Sequence, residues 1–293
     1  MRASFERLLI RPLAWYLRHL TFDAMRWRLQ ILAIQWSASL RGALPRCRVR
    51  TRYGFDMEVD GNSQVGRILY ATGQYENEIA SILARTLSDG DTFVDGGAHI
   101  GFFTVFASRC VGPTGRVIAF EPAGQTRERL LSNVSLNGCR NVSVRSEALG
   151  ASPGESVLSH LAEGETGQMT MRPVSSFAGR ETVRVMALDD EAAKLGRVRL
   201  IKLDLEGNEL AALSGMEGLL KAQQPDVVVE VTDDFLRASG GSGSAMYRLM
   251  TDLGYQPFII HYDRLEHVST EERWHAQLHQ QFNALFTRRR LPE

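Results

Sequence analysis

The sequence predicts an α/β protein built on a doubly wound, mostly parallel sheet, preceded by a helical extension. Three observations carry that prediction. From residue 76 onward, short β-forming runs alternate with segments of helical periodicity. One of these runs, Thr92–Val94 in the stretch DTFVDGGAHIG, leads into Asp95, three small residues and Gly101, and then the apolar FFTVFAS. That is the order strand, tight glycine turn, helix N-terminus. Acids recur at successive predicted strand ends, where open sheets of this kind bind their ligands.

The 293 residues are 44% hydrophobic and 23% charged, with a formal net charge of zero, values ordinary for a globular protein. The charge is unevenly placed. Residues 1–52 hold eleven arginines against two acids, Glu6 and Asp23, so the remainder is acidic. An acidic sheet domain argues against nucleic acid as a partner, because phosphate-binding surfaces are basic. Cys47, Cys110 and Cys139 stand far apart with no CxxC pair, which speaks against a disulfide framework or zinc site and for a reducing, cytoplasmic setting. No apolar run approaches the roughly 18 residues of a membrane-spanning helix. Arginines interrupt every apolar stretch near the N-terminus, unlike a secretory leader.

Residues 1–45 form the extension. Phe5, Leu8, Leu9, Leu13, Tyr16, Leu17 and Leu20 recur at helical spacing between arginines, a second helical run covers Met25–Leu40, and Pro45 closes the segment. A basic, tryptophan-containing amphipathic helix of this type either lies on an anionic membrane surface, here the inner face, or packs on its own domain.

Residues 46–293 form the sheet domain. Residues 47–70 are expected to be β-rich and Glu76–Leu87 helical. Phe102–Val111 is a helix, Arg116–Phe120 a strand ending at Glu121-Pro122, Gln125–Leu136 a helix and Val142–Glu147 a strand. Residues 150–188 break the rhythm as an inserted hairpin. It resumes with the strand Arg199–Leu205, the helix Asn208–Ala222 and the strand Asp226–Val231. A helix over 233–253, interrupted by a Gly/Ser run, precedes the strand Tyr255–His261 and a last one near Gln281–Phe286.

Asp95, Glu121, Glu147, Asp204 and Glu230 each lie at or just after a predicted strand end. Glu121, at the end of the second strand, is well placed to accept both hydroxyls of a ribose. The turn does not have the G-x-G-x-x-G register of a dinucleotide site, since its glycines fall at 96, 97 and 101. Asp95 beside it favours a cationic ligand, and S-adenosylmethionine carries both an ammonium and a sulfonium. Glycine is expected in the turn because a Cβ would keep a ligand from the backbone. In LIKLDLEGNE, Ile201, Leu203 and Leu205 share one face of a predicted central strand and Lys202, Asp204 and Glu206 the other. Three charges on a buried face need pairing and mark a site, or else an ion pair without chemistry. Asp204 and Glu206 are the candidate bases, with Lys202 orienting them. His261 and His267 follow a predicted strand end. A divalent metal on Asp204, Glu206 and Glu230 is weighed and not assigned.

These residues resemble the FkbM family of S-adenosylmethionine-dependent methyltransferases. The resemblance spans roughly Glu76 to Phe286 and rests on FVDGGAHIGFFT, on AFEP at 119–122, on Asn133 and Asn137 in SNVSLNG, and on KLDLEGNEL at 202–210. It implies a seven-stranded methyltransferase sheet, with Gly97, Ala98 and Gly101 along the methionine end of the cofactor and Asp95, His99 and Asp204 also among the cofactor-binding residues. It places Glu121 and Pro122 at the ribose, and Glu147 near the adenine. The family usually has Asn where this chain has His99. Its methyl acceptors are typically hydroxyls of sugars or small natural products. The reading is an O-methyltransferase with direct in-line transfer, a carboxylate base and a small-molecule or glycan acceptor. The rival readings are an NAD-dependent oxidoreductase or epimerase, and a non-catalytic module attached to the membrane by residues 1–44.

Overall fold

The described structure begins with a short antiparallel hairpin, β1 (Cys47–Arg50) and β2 (Asp56–Val59), in a computed structural model that describes residues 45–61, 63–161, 169–171 and 177–290. The expectations for residues 1–44 lie outside the described residues. After the hairpin come helices α1 (Gln64–Thr72) and α2 (Asn77–Thr86). Helix α1 corrects the β-rich reading of 47–70. Ser63 caps it, its side chain accepting from the Gly66 amide at 3.0 Å, and Ser at this position stabilises a helix start whatever the β-propensity around it.

The alternating part follows: β3 (Thr92–Gly96), α3 (Phe102–Cys110), β4 (Arg116–Phe120), α4 (Gly124–Leu136) and β5 (Val142–Arg145). The insertion contributes β6 (Ala148–Leu149), β7 (Gly154–Leu161), β8 (Met169–Thr170) and β9 (Phe177–Met186), with β7 and β9 pairing as the expected antiparallel hairpin. Then come α5 (Ala192–Leu195), β10 (Val198–Leu203), α6 (Glu209–Ser214), α7 (Glu217–Gln223), β11 (Asp226–Val231), α8 (Asp233–Ala238) and α9 (Gly243–Asp252). Strands β12 (Gln256–Ile260) and β13 (Leu265–His267), helix α10 (Glu271–His275) and strand β14 (Phe282–Thr287) complete the domain.

The main sheet runs β13-β12-β14-β11-β10-β3-β4-β5. Its five strands from β11 to β5 are parallel, and β14 enters antiparallel between β11 and β12. The order reverses between β3 and β10, so the crevice above those two strands is the switch point. Seven strands meet the expectation, and the short β13 adds an eighth at the edge. Successive residues feed opposite layers, as strand alternation requires. Ile201, Leu203, Val227 and Val229 pack with Leu213, Leu220, Met246 and Trp274 on one face. Phe93, Val117, Leu200 and Val228 pack with Leu83, Phe106, Leu130 and the hairpin residue Met57 on the other. Among the described residues no helix is long and apolar enough to cross a membrane.

Three expected elements end differently. The strand read to Leu205 stops at Leu203, because Glu206 and Gly207 adopt left-handed conformations and turn the chain. The helix read over 208–222 is two helices. The Asp189 carboxylate caps the second, accepting from the Gly218 and Leu219 amides at 2.8 and 2.7 Å, a contact set up 29 residues away and invisible to local periodicity. The strand read over 142–147 ends at Arg145, and β6 leaves to pair with β9 in a separate four-stranded sheet.

The motif SNVSLNG has a structural explanation. Asn133 on α4 and Asn137 at its C-terminal cap, one helical turn apart, each bracket one residue of β2. Asn133 accepts from the Glu58 amide at 2.7 Å and donates to the Ile100 carbonyl at 2.8 Å. Asn137 accepts from the Asp56 amide at 3.0 Å and donates to its carbonyl at 2.7 Å. Four helical residues rise about 6 Å and two strand residues about 6.7 Å, so the two side chains match alternate residues along the strand. Asn133→Ala leaves the part-buried Glu58 amide and the buried Ile100 carbonyl without this partner and is expected to lower stability by about 2–3 kcal/mol in urea denaturation. A loss under about 0.5 kcal/mol would show that the bracket is dispensable.

Candidate functional site

A cavity of about 720 Å³ runs along the carboxyl ends of the strands, from Glu147 and Leu149 beyond β5 to Ile260 and Tyr262 beyond β12. Most of the sequence-derived candidates line it. Gly97, Ala98, His99, Glu121, Pro122 and Glu147 stand along one half. Lys202, Asp204, Glu206 and Glu230 stand along the other. Asp95 and Gly101 do not reach the wall and lie behind the turn.

The turn after β3 is built for the protein's own packing. The Gly97 and Ala98 amides both donate to the Phe120 carbonyl at 3.0 Å, and the His99 amide donates to Glu121 Oε2 at 2.8 Å. None of these three amides is left to cradle a pyrophosphate. A Cβ on Gly97 would run into the Asp204 carbonyl oxygen, and one on Gly101 into the Leu130 side chain. These glycines admit neighbouring backbone and side chain, a packing reason that stands beside the one expected from the sequence. Both have positive φ, and so does His99 at 50°. His and Asn are enriched among residues that accept a left-handed conformation, which accounts for one standing where the other is usual. Burial lowers the His99 pKa to about 4, so its ring is neutral near pH 7.

Glu121 is held rigidly. Its Oε2 takes the His99 amide and its Oε1 the Ala123 amide at 3.0 Å, leaving each oxygen a further lone pair toward the cavity. Glu147 lines the wall, but Arg145 and Arg184 hold its carboxylate at 3.2 and 2.9 Å.

The most unusual feature lies at the switch point. Lys202 is 4% exposed on a central strand, and parallel pairing sets it opposite Asp95. Its ammonium is 3.3 Å from Asp204 and 5.1 Å from the centre of the Phe103 ring. Burial by itself would lower its pKa, but Asp204, Asp95 and Glu76 raise it. Asp95 takes the Thr104 hydroxyl on Oδ2 at 2.6 Å, while its buried Oδ1 has no hydrogen-bond partner. The turn carrying Asp204 and Glu206 is closed by Glu209, whose Oε1 accepts the Leu205 and Gly207 amides at 2.7 and 3.2 Å. The inserted sheet reaches it too, through the Thr170 hydroxyl on the Glu206 carbonyl at 3.0 Å.

Sequence reading missed Tyr75 and Glu76, which line the cavity from the turn before α2. The Glu76 backbone is left-handed at φ 38°. The non-glycine residues of positive φ among the described residues are Glu76, His99, Glu206 and Gln224, and all but Gln224 line this cavity. Strain of that kind, about 1 kcal/mol or more per residue, gathers at functional sites. Gln281 also reaches in and hydrogen-bonds Glu230. His261 instead pairs with Glu266 at 2.9 Å on the edge hairpin, and His267 packs against Phe258. Among the described residues no cluster of His, Cys, Asp or Glu is arranged to hold a metal ion.

A rigid acid at the second strand end and a wall rich in carboxyls suit a ligand that carries positive charge and a vicinal diol. The anionic pyrophosphate of a dinucleotide does not suit them.

Residues 95–257 match the methyltransferase FkbM domain. The chain is 32% identical over 168 residues to Methyltransferase 1 of Beauveria bassiana, covering 50% of this chain and 66% of that protein, just under two thirds. It is 26% identical over 203 residues to the hexuronic acid methyltransferase AglP of Haloferax volcanii, covering 67% and 79% of the two chains. Among solved structures, a methyltransferase FkbM from Methylobacillus flagellatus superposes with a TM-score of 0.44 and 18% identity, covering 88% of this chain and 58% of that one.

The electrostatics of the ligand-free site make a prediction. Burial is the main cause that pushes the carboxyls of Glu76, Glu121 and Glu209 from 4.5 to about 7, and that of Glu230 to about 9. A raised carboxyl supports the fold fully below its unfolded value and withdraws that support as pH rises through the folded one. His99 acts in the opposite sense, but between its folded pKa of about 4 and its ordinary 6.5. Between pH 6 and 8 the carboxyls dominate, so the ligand-free protein is expected to melt at a lower temperature at pH 8 than at pH 6 by scanning calorimetry. A flat or rising melting temperature contradicts this account.

Proposed function

The chain belongs to the FkbM family of methyltransferases, which use S-adenosylmethionine, and we propose that it methylates a hydroxyl oxygen of a sugar, glycan or small natural product. Residues 46–293 are the catalytic domain in this reading, and 1–45 an extension. The observation that carries it is the Lys202–Asp204 pair at the switch point, between the two halves of one cavity.

When bound, S-adenosylmethionine supplies a methyl group on a sulfonium. The residues along β3, β4 and β5 suit its other parts. Glu121 has lone pairs free for the ribose hydroxyls, with Pro122 and Phe120 beside it. The wall near Glu147 and Leu149 receives the adenine. The turn at Gly97, Ala98 and His99, backed by Asp95 and Lys202, lies toward the methionine end. The other half, over β10, β11, β14 and β12, is left for the acceptor. Its wall carries Asp204, Glu206, Glu230, Gln281 and Tyr262, groups that hydrogen-bond hydroxyls.

A neutral hydroxyl attacks poorly, so the base lies on the acceptor side of the transferred methyl. Asp204 is that base in our reading. Lys202 holds the Asp204 carboxylate in place through its ion pair, Glu206 borders the acceptor, and the Glu209-closed turn keeps both acids in register. Most of the remaining acceleration comes from alignment of donor and acceptor.

Calorimetric titration with S-adenosylmethionine and S-adenosylhomocysteine tests the cofactor assignment, and absence of binding to both would sink it. Transfer of a labelled methyl group into a cell glycan and metabolite extract tests the acceptor class. Asp204→Asn is expected to lower transfer at least 100-fold while cofactor affinity stays within a few-fold. Undiminished transfer removes Asp204 from the role of base.

A further inference from the structure

Glu76 is unaccounted for by the reading above. It occupies the N-cap position of α2, yet its side chain makes no capping bond and its backbone is left-handed. Gly would hold that conformation without strain, and Ser or Asp would cap the helix better. The carboxylate is therefore not there for the helix. Its neighbour Tyr75 packs edge-on against Phe102 and tilted against Phe103, the ring on which the Lys202 ammonium rests. That aromatic cluster fixes the turn and sets Glu76 on the cavity wall, across from the switch point.

The groups facing Glu76 are few and named. Asp204 and Lys202 face it from β10, Glu230 from β11, and Tyr75 and Glu78 from its own segment. Around the Lys202 ammonium, the wall thus gathers Glu76, Asp204 and Glu230, with Asp95 and its unpartnered Oδ1 directly behind. Negative charge is in excess. With a neutral ligand in place, protons must relieve that excess; with a sulfonium in place, the ligand does.

We propose that Glu76 is a second catalytic carboxylate of this site, which loses its proton when the cationic donor binds and, together with Asp204, receives the proton of the acceptor hydroxyl during transfer. The inference rests on the S-adenosylmethionine reading above. The acceptor oxygen bonds to the methyl carbon as the carbon–sulfur bond breaks, the electron pair of that bond stays on sulfur, and the hydroxyl proton passes to the Glu76–Asp204 pair. One positive charge vanishes from sulfur and one negative charge from the carboxylates. The net charge of the enclosed site does not change, which avoids the cost of creating charge in a medium of low dielectric constant. The ligand-free carboxyl of Glu76 is suited to this cycle, because burial and then the Asp204 charge hold it at about 7, where a neighbouring cation readily removes its proton.

S-Adenosylmethionine and S-adenosylhomocysteine differ at the sulfur, a sulfonium in one and a neutral thioether in the other, so comparing them isolates the charge in question. Calorimetry of each at pH 7, in phosphate and in Tris buffer, reads the protons released on binding to the full-length protein. Wild type is expected to release about half a proton more with S-adenosylmethionine, the fraction a group of pKa about 7 holds at that pH. Glu76→Gln is expected to erase the difference while S-adenosylhomocysteine affinity stays within a few-fold, and Glu230→Gln to preserve it. A Glu76→Gln protein that keeps the wild-type difference overturns the proposal, as does a wild type with none. Should Glu76→Gln fail to bind, the ratio of the two affinities decides, measured in wild type and in Glu121→Gln so that the other wall carboxyl raised to about 7 is excluded. It should rise with pH by up to about tenfold per unit and level off near 7. A flat ratio, or one still rising to 9, overturns the assignment to Glu76. Binding of neither molecule is a distinct result, and it removes the cofactor reading and this proposal together.

Discussion

A buried ammonium sets the terms for this domain. Lys202 sits on a central strand whose other residues are apolar, and an ammonium stripped of water costs several kcal/mol unless carboxylates surround it. The fold meets that demand from three directions. Parallel pairing of β10 with β3 brings Asp95 opposite, the turn beyond β10 returns Asp204 to 3.3 Å, and the turn before α2 adds Glu76. Moving either strand by one residue would turn the ammonium into a hydrophobic layer. The register of the two strands at the switch point is therefore tied to the chemistry of the site above them.

The surrounding turns are shaped by that closeness. Gly97 lacks a side chain because the Asp204 carbonyl lies against it, and the amides of the turn are spent on Phe120 and Glu121. Glu209 and Thr170 fasten the opposite turn from below and above. The Asn133 and Asn137 brackets bind the β1–β2 hairpin to the domain, and Asn133 also holds the Ile100 carbonyl of the glycine turn. Left-handed residues are thus immobilised at the points where the cavity needs a carboxylate or a ring.

One half of the cavity follows β3, β4 and β5, and the other follows β10, β11, β14 and β12. The parallel half carries rigid, mostly partnered groups such as Glu121 and Glu147. The half containing the antiparallel strand carries Asp204, Glu206 and Glu230. The two halves meet above Lys202, where charge is concentrated.

Much of this was written locally. The alternation of strands and helices, the acids at the strand ends and the charged residues of KLDLEGNE depend on spacing within a few residues, and spacing is what a sequence displays. Asp95, Glu121, Lys202 and Asp204 were legible for that reason. The nearest-neighbour signal failed where a distant partner decides the outcome. Asp189 starts a new helix where periodicity continues, a left-handed Glu206 ends a strand that alternation extends, and Gly97 answers to a carbonyl over a hundred residues away. Glu76 was hidden for the same reason, since at the head of an amphipathic helix a glutamate reads as an ordinary first-turn acid. Its place among the charges of the site follows only when the turn before α2, the end of β10 and the end of β11 converge. Sequence alone determined the class of the protein, because class rests on periodicity and short motifs. The arrangement of its charges was decided by tertiary structure, because Coulomb energy depends on distance through space.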